Sequence, residues 1–497
     1  MPVLPTRTDV LIVGAGPSGL ALALSLAQLG VDHVLIDRND DVQPGTKAAA
    51  LQPATMEYLD RLGVARDLVA AGDEGPGFQL RDGQRTLVRV SYDELDTPFP
   101  YQLLLPQQAT EEHLARRLTG HGGTVHRGHR LLTFSPDFPG VTATIAAPDG
   151  MVRAVYARYI VGCDGVHSQV RAAAGIPFPG DAREQLYAVA DVRLGDTLDA
   201  DDRAITAYLS PRGMLLTSPM GAGLFRIVAI VPPGSAAPAA ADLETLLKTR
   251  GQVSYRIAEV AAAATYRVQE RLAERMSDGP VFLAGDAAHV HSPAGAQGFN
   301  TGVLDSANLG WKLHAVLAGS APPTLLDTYH RERHPVAARL VPFTGQIRGL
   351  SLVTDPRVAS VRDDVMTAAA ANPGLTRWLA AKLAQFDISY APPGAARAEG
   401  ARGPGGPGGP MGPYQAGRRV PPSRVTPDGL NWILAVPKAD TAPADGSQHG
   451  NLTVRVSDDL DATLLIRPDG FLAACGVPAD PAAVLAGLGD YAQGPSN

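Results

Sequence analysis

The stretch DVLIVGAGPSGL, which covers Asp9–Leu20, determines the fold. Its first half is apolar and predicts a buried strand over Asp9–Val13, and its second half has the glycine spacing that leads from a strand into a helix in dinucleotide-binding units. Gly14 permits a tight turn, Gly16 lets the backbone approach a pyrophosphate, and Gly19 lets the helix pack closely on the strand. The pattern predicts a bound adenine dinucleotide without distinguishing FAD from NAD.

The residues around this turn extend the same interpretation. A helix is expected from about Ser18 to Leu29, so that Pro17 and Ser18 place its positively polarised N-terminus against phosphates. A second strand, HVLIDR, follows and ends in Asp37 and Arg38. An acid at this place accepts hydrogen bonds from a ribose hydroxyl, which favours an adenosine ribose without a phosphate.

A second dense segment, GDAAHVHSPAGAQGFNTG, begins at Gly285. A strand is predicted over Val281–Ala284, and an apolar helical pattern follows the loop, so that an acid ends a strand and glycines open a helix. Two interpretations are open here: His289 and His291 could be metal ligands, or the loop could be one wall of a cofactor site. The small residues fit a flat ligand pressed against backbone better, so no metal is expected and both histidines are expected to be ordinary loop residues.

A third segment lies between the other two and reads ARYIVGCDGVHSQVR, from Ala157 to Arg171. It predicts a buried strand over Tyr159–Gly162, an acidic turn at Asp164 and the start of a helix at Ser168. Alone, this pattern is equally typical of an ordinary connection between a strand and a helix.

Together and in this order, GAGPSG, GCDGVHSQVR and LAGDAAH…PAGAQGFNTG resemble the FAD-dependent aromatic hydroxylases, the single-component flavoprotein monooxygenases of the p-hydroxybenzoate hydroxylase type. The resemblance covers roughly Asp9–Arg339 and is strongest to the hydroxylases that tailor aromatic polyketides and to their phenol hydroxylase relatives. It implies an α/β fold with a discontinuous Rossmann-like FAD domain, an inserted mixed β-sheet substrate domain and a small C-terminal thioredoxin-like domain.

The resemblance also implies roles for single residues. The glycine turn would hold the FAD pyrophosphate, Asp37 the adenosine ribose and Asp286 the ribityl chain. Asp164 would serve both FAD and the pyridine nucleotide, and the loop before the last helix would lie along the isoalloxazine, with the helix aimed at its pyrimidine ring. The implied flavin-facing residues are Pro293 and Gly295, with the catalytic acid or base unknown, and the implied cofactor-binding residues are Gly14, Gly16, Pro17, Ser18, Gly19, Asp37, Arg38, Lys47, Gln107, Asp164, Asp286, Gly298, Phe299 and Asn300.

Three positions depart from the pattern of this family. Lys47 stands where an arginine is common, and Ala54 stands where a second arginine is frequent. Lysine keeps the charge but loses the planar bidentate fork, which predicts a weaker hold on FAD or NADPH at this place. Ala296 replaces a glycine that is usual in the polyketide group, a change that we expect to be mild.

The domain division is expected to be discontinuous. The FAD domain is assigned to residues 1–75, 102–182 and 265–398, and the substrate domain to residues 76–101 and 183–264, where alternating runs such as LFRIVAIVPP predict strands. The large apolar residues of the substrate domain and its border fit a substrate pocket or a core equally well. These residues are Phe99, Tyr101, Met214, Met220 and Phe225.

The C-terminal part, residues 399–497, opens with a Gly/Pro-rich stretch, GARGPGGPGGPMGP, from Gly400 to Pro413, which predicts a linker or a mobile loop and which we call the linker. Beyond it, RPDG at Arg467–Gly470 predicts a turn between two strands and resembles the edge of the thioredoxin-like appendage of polyketide and phenol hydroxylases. No CxxC pair is present, so thiol redox chemistry is not expected. Cys475 is expected in a core, and we expect the unit to support packing or a homodimer.

Composition narrows the class of partner. The 497 residues carry a net charge of −7 with both signs spread along the chain, so neither nucleic acid nor an anionic membrane is favoured. The two cysteines have no disulfide or zinc-type spacing, which fits a reducing compartment and predicts a cytoplasmic location. The apolar run around the first glycine motif is interrupted by Gly and Pro and followed by another strand, which argues against a membrane anchor.

The function implied by the resemblance is an FAD- and NAD(P)H-dependent monooxygenase. It would use dioxygen, through a flavin hydroperoxide, to hydroxylate an aromatic substrate, in particular a polycyclic phenolic compound like a polyketide. Two alternatives are open: an antibiotic-inactivating or Baeyer–Villiger monooxygenase on the same scaffold, and a flavin-binding protein without catalysis.

Overall fold

A computed structural model of the chain describes residues 4–42, 50–196, 203–221, 223–291, 295–350, 353, 355–390, 417–422, 425, 429–437, 446, 448–449, 452–457, 460, 463–475 and 480. Lys47, Pro293 and the linker between Gly400 and Pro413 lie outside these residues, as does the side chain of Cys475. What the sequence predicts for them stays a prediction.

Helices and runs of strands are interspersed through the part of the chain before the linker, and the described elements after the linker are strands. The strands are β1 Arg7–Val13, β2 His33–Ile36, β3 Ala50–Leu51, β4 Asp73–Gly75, β5 Gly77–Asp82, β6 Arg85–Ser91, β7 Gln102–Leu104, β8 Val125–His126, β9 Arg130–Asp137, β10 Gly140–Ala146, β11 Val152–Gly162, β12 Gly180–Leu194, β13 Ile205–Ser210, β14 Gly213–Pro219, β15 Phe225–Val231, β16 Ile257–Leu272, β17 Ser277–Asp278, β18 Val281–Leu283, β19 His289–Val290, β20 Trp432–Pro437, β21 Gln448–His449, β22 Leu452–Ser457, β23 Leu464–Ile466 and β24 Leu472–Cys475. The helices are α1 Pro17–Gln28, α2 Pro53–Arg61, α3 Ala65–Ala71, α4 Gln107–Gly120, α5 Gln169–Ala173, α6 Ala240–Leu246, α7 Gly298–Leu317, α8 Asp327–Leu350, α9 Pro356–Ala370 and α10 Pro373–Leu383.

The first sheet is the nucleotide-binding sheet. Its order is β17-β18-β11-β1-β2-β8, with β10 and β9 added beside β11. β1 runs parallel to β2 and β11, and its apolar residues Val10–Val13 are buried on both faces, as a central strand of a parallel sheet requires. The predicted strand and helix around the glycine turn are confirmed at β1 and α1.

The second sheet is a separate wall of mostly antiparallel strands. Its order is β19-β16-β12-β15-β14-β13-β5-β6, and β13 and β5 are its parallel pair. The residues of this sheet come from three parts of the chain, β5–β6, β12–β16 and β19. The domain boundaries themselves stay a proposal.

A third sheet, β21-β22-β20-β23-β24, forms the C-terminal unit, which we call the C-terminal sheet. β20 is parallel to β22 and antiparallel to β23, and the turn Arg467–Gly470 joins β23 to β24 as predicted. The predicted α/β architecture with several sheets is therefore confirmed.

Helices α1 and α7 pack against each other over the nucleotide-binding sheet. A methyl group on Gly310 of α7 would lie 2.6 Å from the hydroxyl of Ser25 in α1, so the absence of a side chain sets how closely these helices approach. This close packing brings the first turns of both helices to the same cavity.

Candidate functional site

One large cavity, of about 970 Å³, lies between the nucleotide-binding sheet and the second sheet. Its volume suits a large organic ligand, since small-molecule sites commonly span about 300–1,000 Å³. Most of the implied cofactor residues within the described part of the chain line it: Gly14, Gly16, Pro17, Ser18, Asp37, Arg38, Gln107, Asp164, Asp286, Gly295, Gly298 and Phe299.

The glycine turn after β1 fits a phosphate group. A methyl group on Gly14, which has φ +104°, would lie 2.3 Å from the carbonyl oxygen of Cys163, and one on Gly19 would lie 1.9 Å from the carbonyl oxygen of Gly14. A methyl group on Gly16 would meet no described residue within 4 Å, and Gly16 lines the cavity. α1 starts at Pro17 without an acidic residue in its first turn, which leaves its positive end available to an anion.

Asp37 supports the same turn. Its carboxylate accepts hydrogen bonds from the backbone N–H of Ala15 at 2.7 Å and of Asn39 at 2.8 Å. A carboxylate has about four acceptor positions, so these two bonds leave capacity for a ligand hydroxyl at the cavity surface.

Asp164 offers a polar atom that the described residues do not satisfy. Its Oδ2 accepts hydrogen bonds from the backbone N–H of Gln169 and Val170, while its buried Oδ1 has no hydrogen-bond partner in the described part of the chain. Burial raises the pKa of this carboxyl, and hydrogen bonds from Ser168 and the start of α5 offset part of that rise. A buried acceptor at a cavity wall fits the hydroxyl groups of a nucleotide such as FAD.

The loop Gly285–His291, which we call the flavin-side loop after the role that the resemblance implies, meets the glycine turn directly. A methyl group on Gly285, at φ +62°, would lie 2.6 Å from the hydroxyl oxygen of Ser18, and one on Gly302 would lie 2.8 Å from Cα of Gly285. Asp286 is exposed to the cavity, whereas its neighbours Gly285 and Ala287 are buried. The three motifs are thus assembled around one space, with α7 beginning at Gly298 beside it.

Two of the implied cofactor residues lie behind the cavity wall. Gly19 is buried under the turn, and Asn300 is fully buried at the start of α7. The Asn300 amide donates to the carbonyl oxygens of Ala50 at 2.8 Å and Ala296 at 2.7 Å and accepts from the backbone N–H of Gln52 at 2.8 Å. In this structure Asn300 therefore anchors the end of the loop rather than lining the cavity.

A buried ionic cluster behind the flavin-side loop was not identified in the sequence. Asp305 is fully buried and accepts hydrogen bonds from the N–H of Gly285 at 3.0 Å, from Nε2 of His289 at 2.8 Å and from Nε of Arg333 at 2.7 Å. Burial opposes its ionisation, yet Arg333 and His289 outweigh that effect and hold the pKa of Asp305 below its usual value. The separation of these residues along the chain leaves no motif by which the cluster could be recognised.

The second sheet forms the opposite wall, and its register sorts the side chains into rows. In one row, Arg226 of β15 lies between its cross-strand partners Asp191 and Ser218. In the next row, Val228 lies between Val189 and Leu216. Tyr187 and Tyr266 are partners beyond these, with their rings stacked at 5.8 Å between centroids. All but Asp191 line the cavity, so the wall passes from a charged row through an apolar band to an aromatic pair.

The charged row contains a buried ion pair. Arg226 donates from Nε and Nη2 to the two carboxylate oxygens of Asp191 at 2.7 and 2.9 Å, and both side chains are less than a tenth exposed. Charge-assisted bidentate pairs of this kind hold a guanidinium in a fixed orientation. Of the large apolar residues that the sequence left between pocket and core, Met214 lines the cavity, while Met220 and Phe225 are buried and Phe99 and Tyr101 pack against the core.

The histidines have structural surroundings in this fold. His289 bonds Asp305, and its ring stacks on that of His291 at 6.3 Å between centroids. Within the described residues, no three His, Cys, Asp or Glu side chains are grouped to hold a metal ion. In the same part of the chain, no helix combines the length and apolarity that crossing a bilayer demands.

Comparisons with known proteins agree with this geometry. Residues 7–344 match the family described as "FAD binding domain". The chain is 34% identical over 403 residues to the 12-dehydrotetracycline 5-monooxygenase/anhydrotetracycline 6-monooxygenase of Streptomyces rimosus, covering 78% of each chain. It is 32% identical over 475 residues to a rifampicin monooxygenase of Streptomyces venezuelae, covering 94% of this chain and 95% of that one. Among solved structures, OxyS anhydrotetracycline hydroxylase from Streptomyces rimosus superposes with a TM-score of 0.74 at 28% identity, with 98% of both chains covered.

Proposed function

The chain belongs to the family of FAD-dependent aromatic hydroxylases, and from this premise we propose that its substrate is a polycyclic phenolic compound like a polyketide. FAD-dependent monooxygenation of an aromatic compound is the activity that the family membership establishes. The finer statement, which concerns the substrate and the residues that handle it, is our proposal.

The observation that carries this proposal is the wall formed by the second sheet. Its apolar band, which includes Val189, Leu216 and Val228, offers a surface for flat fused rings. The charged row at one side and the tyrosine pair at the other offer partners for ring oxygens. A pocket with a large apolar area and few placed polar groups selects a large aromatic molecule that carries oxygen substituents.

The cofactor would occupy the side of the cavity formed by the three motifs. Gly16 and the first turn of α1 would hold the pyrophosphate, Asp37 and Asp164 the ribose hydroxyls, and Asp286 the ribityl chain. The positive end of α7 would stabilise negative charge on the pyrimidine ring. When bound, FAD supplies the activation of dioxygen with electrons from NADPH or NADH, and the surrounding protein excludes water from that chemistry.

Tyr266 is proposed to donate a hydrogen bond to an oxygen of the substrate. Burial raises its pKa to about 12, with Tyr187 adding to the rise and Arg226 opposing it. A phenol with such a pKa keeps its proton at neutral pH and cannot serve as a general base. Arg226, oriented by Asp191, would stabilise negative charge that develops on the activated phenol.

The test is a screen of polycyclic phenols and quinones with purified protein, FAD and NADPH or NADH. A mass gain of one oxygen atom, with nucleotide oxidation that depends on the compound, is the expected result. Nucleotide oxidation without oxygenated product for every member of the panel would contradict the proposed substrate class. The variant Asp286→Ala is expected to weaken FAD by about 1–3 kcal/mol, because the ribityl hydroxyl loses its acceptor.

A second candidate is oxygen insertion into an antibiotic on the same scaffold. The similarity to a rifampicin monooxygenase over 94% of the chain supports this second activity as an alternative. Products with an inserted ester oxygen or an opened ring, identified by fragmentation, would distinguish this activity from hydroxylation. A flavin-binding protein without catalysis would instead retain FAD and show no oxidation of NADPH stimulated by any aromatic compound.

We further propose a division into domains, a location and an oligomeric state. We assign residues 1–75, 102–182 and 265–398 to the FAD domain and residues 76–101 and 183–264 to the substrate domain. The mixed order of the C-terminal sheet, with one parallel pair beside antiparallel strands, supports a thioredoxin-like unit in residues 399–497. A cytoplasmic location and a homodimer complete the proposal, which fractionation and sedimentation would test.

A further inference from the structure

The flavin-side loop is held from behind by the carboxylate of Asp305. Two of the three donors to this carboxylate, the N–H of Gly285 and Nε2 of His289, belong to the loop itself. The third donor is Nε of Arg333 in α8, at 2.7 Å. The position of the loop backbone therefore depends on where Arg333 holds Asp305.

Arg333 is itself fixed from the side that faces away from the cavity. It is fully buried, and it donates to the backbone carbonyl of Thr301 at 3.0 Å and to the hydroxyl of Tyr390 at 3.0 Å. Tyr390 follows the last helix of the FAD-side region and is the last described residue before the linker. The guanidinium thus joins the start of α7 to a residue at the edge of the C-terminal sheet.

Tyr390 is held in turn by the C-terminal sheet. Its ring packs on Phe471 with 4.2 Å between centroids, and the guanidinium of Arg467 lies 5.0 Å from its ring centroid. Its backbone N–H donates to the carbonyl oxygen of Gly417 at 2.8 Å, and the N–H of Gly417 donates to Leu472 of β24 at 2.8 Å. The sheet therefore fixes both the ring and the backbone of Tyr390.

We propose that Tyr390 and Arg333 are positioning residues through which the C-terminal sheet sets the conformation of the flavin-side loop. Contacts run without interruption from Phe471 through Tyr390, Arg333 and Asp305 to the backbone N–H of Gly285, next to Asp286. The inference rests on the proposed function in one respect, namely the assignment of this loop to FAD. It gives the C-terminal sheet a role in cofactor binding although none of its described residues lines the cavity.

The physical reason lies in the burial of the charges. Asp305 and Arg333 are fully buried, so their attraction is strong and any misplacement of the guanidinium leaves the carboxylate poorly compensated. Such a pair tolerates few geometries, and the hydroxyl of Tyr390 is one of the contacts that select among them. A small change at Tyr390 is therefore transmitted to Gly285 rather than absorbed by solvent.

The variant Tyr390→Phe tests the proposal, because it removes the hydroxyl and keeps the ring on Phe471. Two readouts are needed: titration of flavin-free protein with FAD, and hydrogen exchange of the Gly285 N–H in the flavin-free protein. We expect the FAD dissociation constant to rise about 3- to 10-fold, in line with a partly transmitted loss of one bond to a charged group. We expect the Gly285 N–H to exchange faster in the same variant.

Two control variants separate positioning from general loss of stability. Tyr208→Phe removes another buried tyrosine hydroxyl, in β13 of the second sheet, from a residue outside the cavity lining. Asp363→Asn weakens the buried ion pair with Arg362 in α9, and neither residue lines the cavity. Both controls are expected to lower the unfolding temperature while leaving FAD affinity and Gly285 exchange at their wild-type values.

The outcomes decide the inference clearly. Wild-type FAD affinity and Gly285 exchange in Tyr390→Phe would overturn the proposal, and so would an equal effect of Asp363→Asn, which would indicate general loosening. If Asp286→Ala kept wild-type FAD affinity, the assignment of the loop to flavin would fail instead. In that case Gly285 exchange, which needs no flavin, would still decide whether Tyr390 positions the loop.

Discussion

The two sides of the cavity are built in different ways. The nucleotide side consists of backbone brought close by glycines, with single carboxylates at the ends of strands. The opposite side, which we propose to be the substrate side, consists of side chains from the strands of the second sheet, sorted into rows by the register of that sheet. Where two backbone segments touch at a glycine, an added side-chain atom would disturb the fold. A wall made of side chains can keep its fold through substitutions that change which ligand it binds.

The two sides also differ in what their residues determine, namely the fold on one side and the choice of ligand on the other. On the nucleotide side, a methyl group on Gly14 or Gly19 would collide with backbone, so those positions are determined by geometry alone. On the substrate side, residues such as Leu216 and Val228 could exchange for other apolar residues at modest cost. The comparison predicts large structural effects from small changes on one side and large changes in selectivity on the other.

The largest effect is expected at Gly19. In Gly19→Ala, the new methyl group would lie 1.9 Å from the carbonyl oxygen of Gly14, and we expect a loss of more than about 4 kcal/mol in the free energy of unfolding. Gly16→Ala is the matched control, since its methyl group meets nothing within 4 Å and its backbone is extended. Urea denaturation should leave this control near wild type, while FAD titration should show clear weakening. Equal stability of the two variants would contradict the backbone account.

The second effect concerns the buried ion pair of the substrate wall. Asp191→Ala removes the carboxylate that compensates the buried guanidinium of Arg226, which is expected to cost about 3 kcal/mol. The control is Glu259→Ala, which breaks an ion pair with Arg193 whose side chains are 48% and 60% exposed. That exposed pair is expected to contribute less than about 1 kcal/mol. Denaturation midpoints of both variants check this, and similar losses would argue against a buried charged row.

The third effect is a pH dependence of FAD binding that originates at Asp164. Burial raises the pKa of this carboxyl in the flavin-free protein, so its protonated form contributes stability that is lost as the pH rises through the folded pKa. A nucleotide hydroxyl that donates to Oδ1 favours the ionised form, so FAD affinity should fall as the pH is lowered from neutral through that pKa.

FAD titrations at several pH values check this prediction. Asp164→Asn should flatten the dependence and weaken FAD at neutral pH by about 1–2 kcal/mol. An unchanged slope in this variant would exclude Asp164 as the responsible group.

The smallest effect is expected at Ala296, and it is a gain. The residue has φ +54°, a left-handed conformation that costs an alanine about 1–2 kcal/mol relative to glycine. The replacement of glycine at this position, which we expected from the sequence to be mild, therefore destabilises the fold. Ala296→Gly should raise the free energy of unfolding by about 1 kcal/mol. Ala371→Gly, at φ −68° at the end of α9, is the control and should lower it by up to about 1 kcal/mol. A loss in both variants would contradict the strain at Ala296.

How much of the structure the sequence predicts also differs between the two sides of the cavity. The strand β1, the turn at Gly14 and the acid Asp37 could be predicted because their spacing in the sequence reflects a local geometry. The Asp305–Arg333 pair could not, since its partners meet only after two helices pack. The rows of the substrate wall depend on strand register, which apolar alternation alone does not determine. Asn300 illustrates the limit: the motif that contains it is recognisable, but its side chain turns away from the cavity.

The hydrogen bond from the Ser306 hydroxyl to the carbonyl oxygen of Ser18 joins residues 288 positions apart. Contacts of such sequence separation form late, because the loop they close costs the most entropy. During synthesis, the glycine turn emerges early, but Ser18 meets Gly302 and Ser306 only after α7 has left the ribosome. FAD bound by the three motifs, as proposed above, is therefore expected only on chains that have completed this long-range closure.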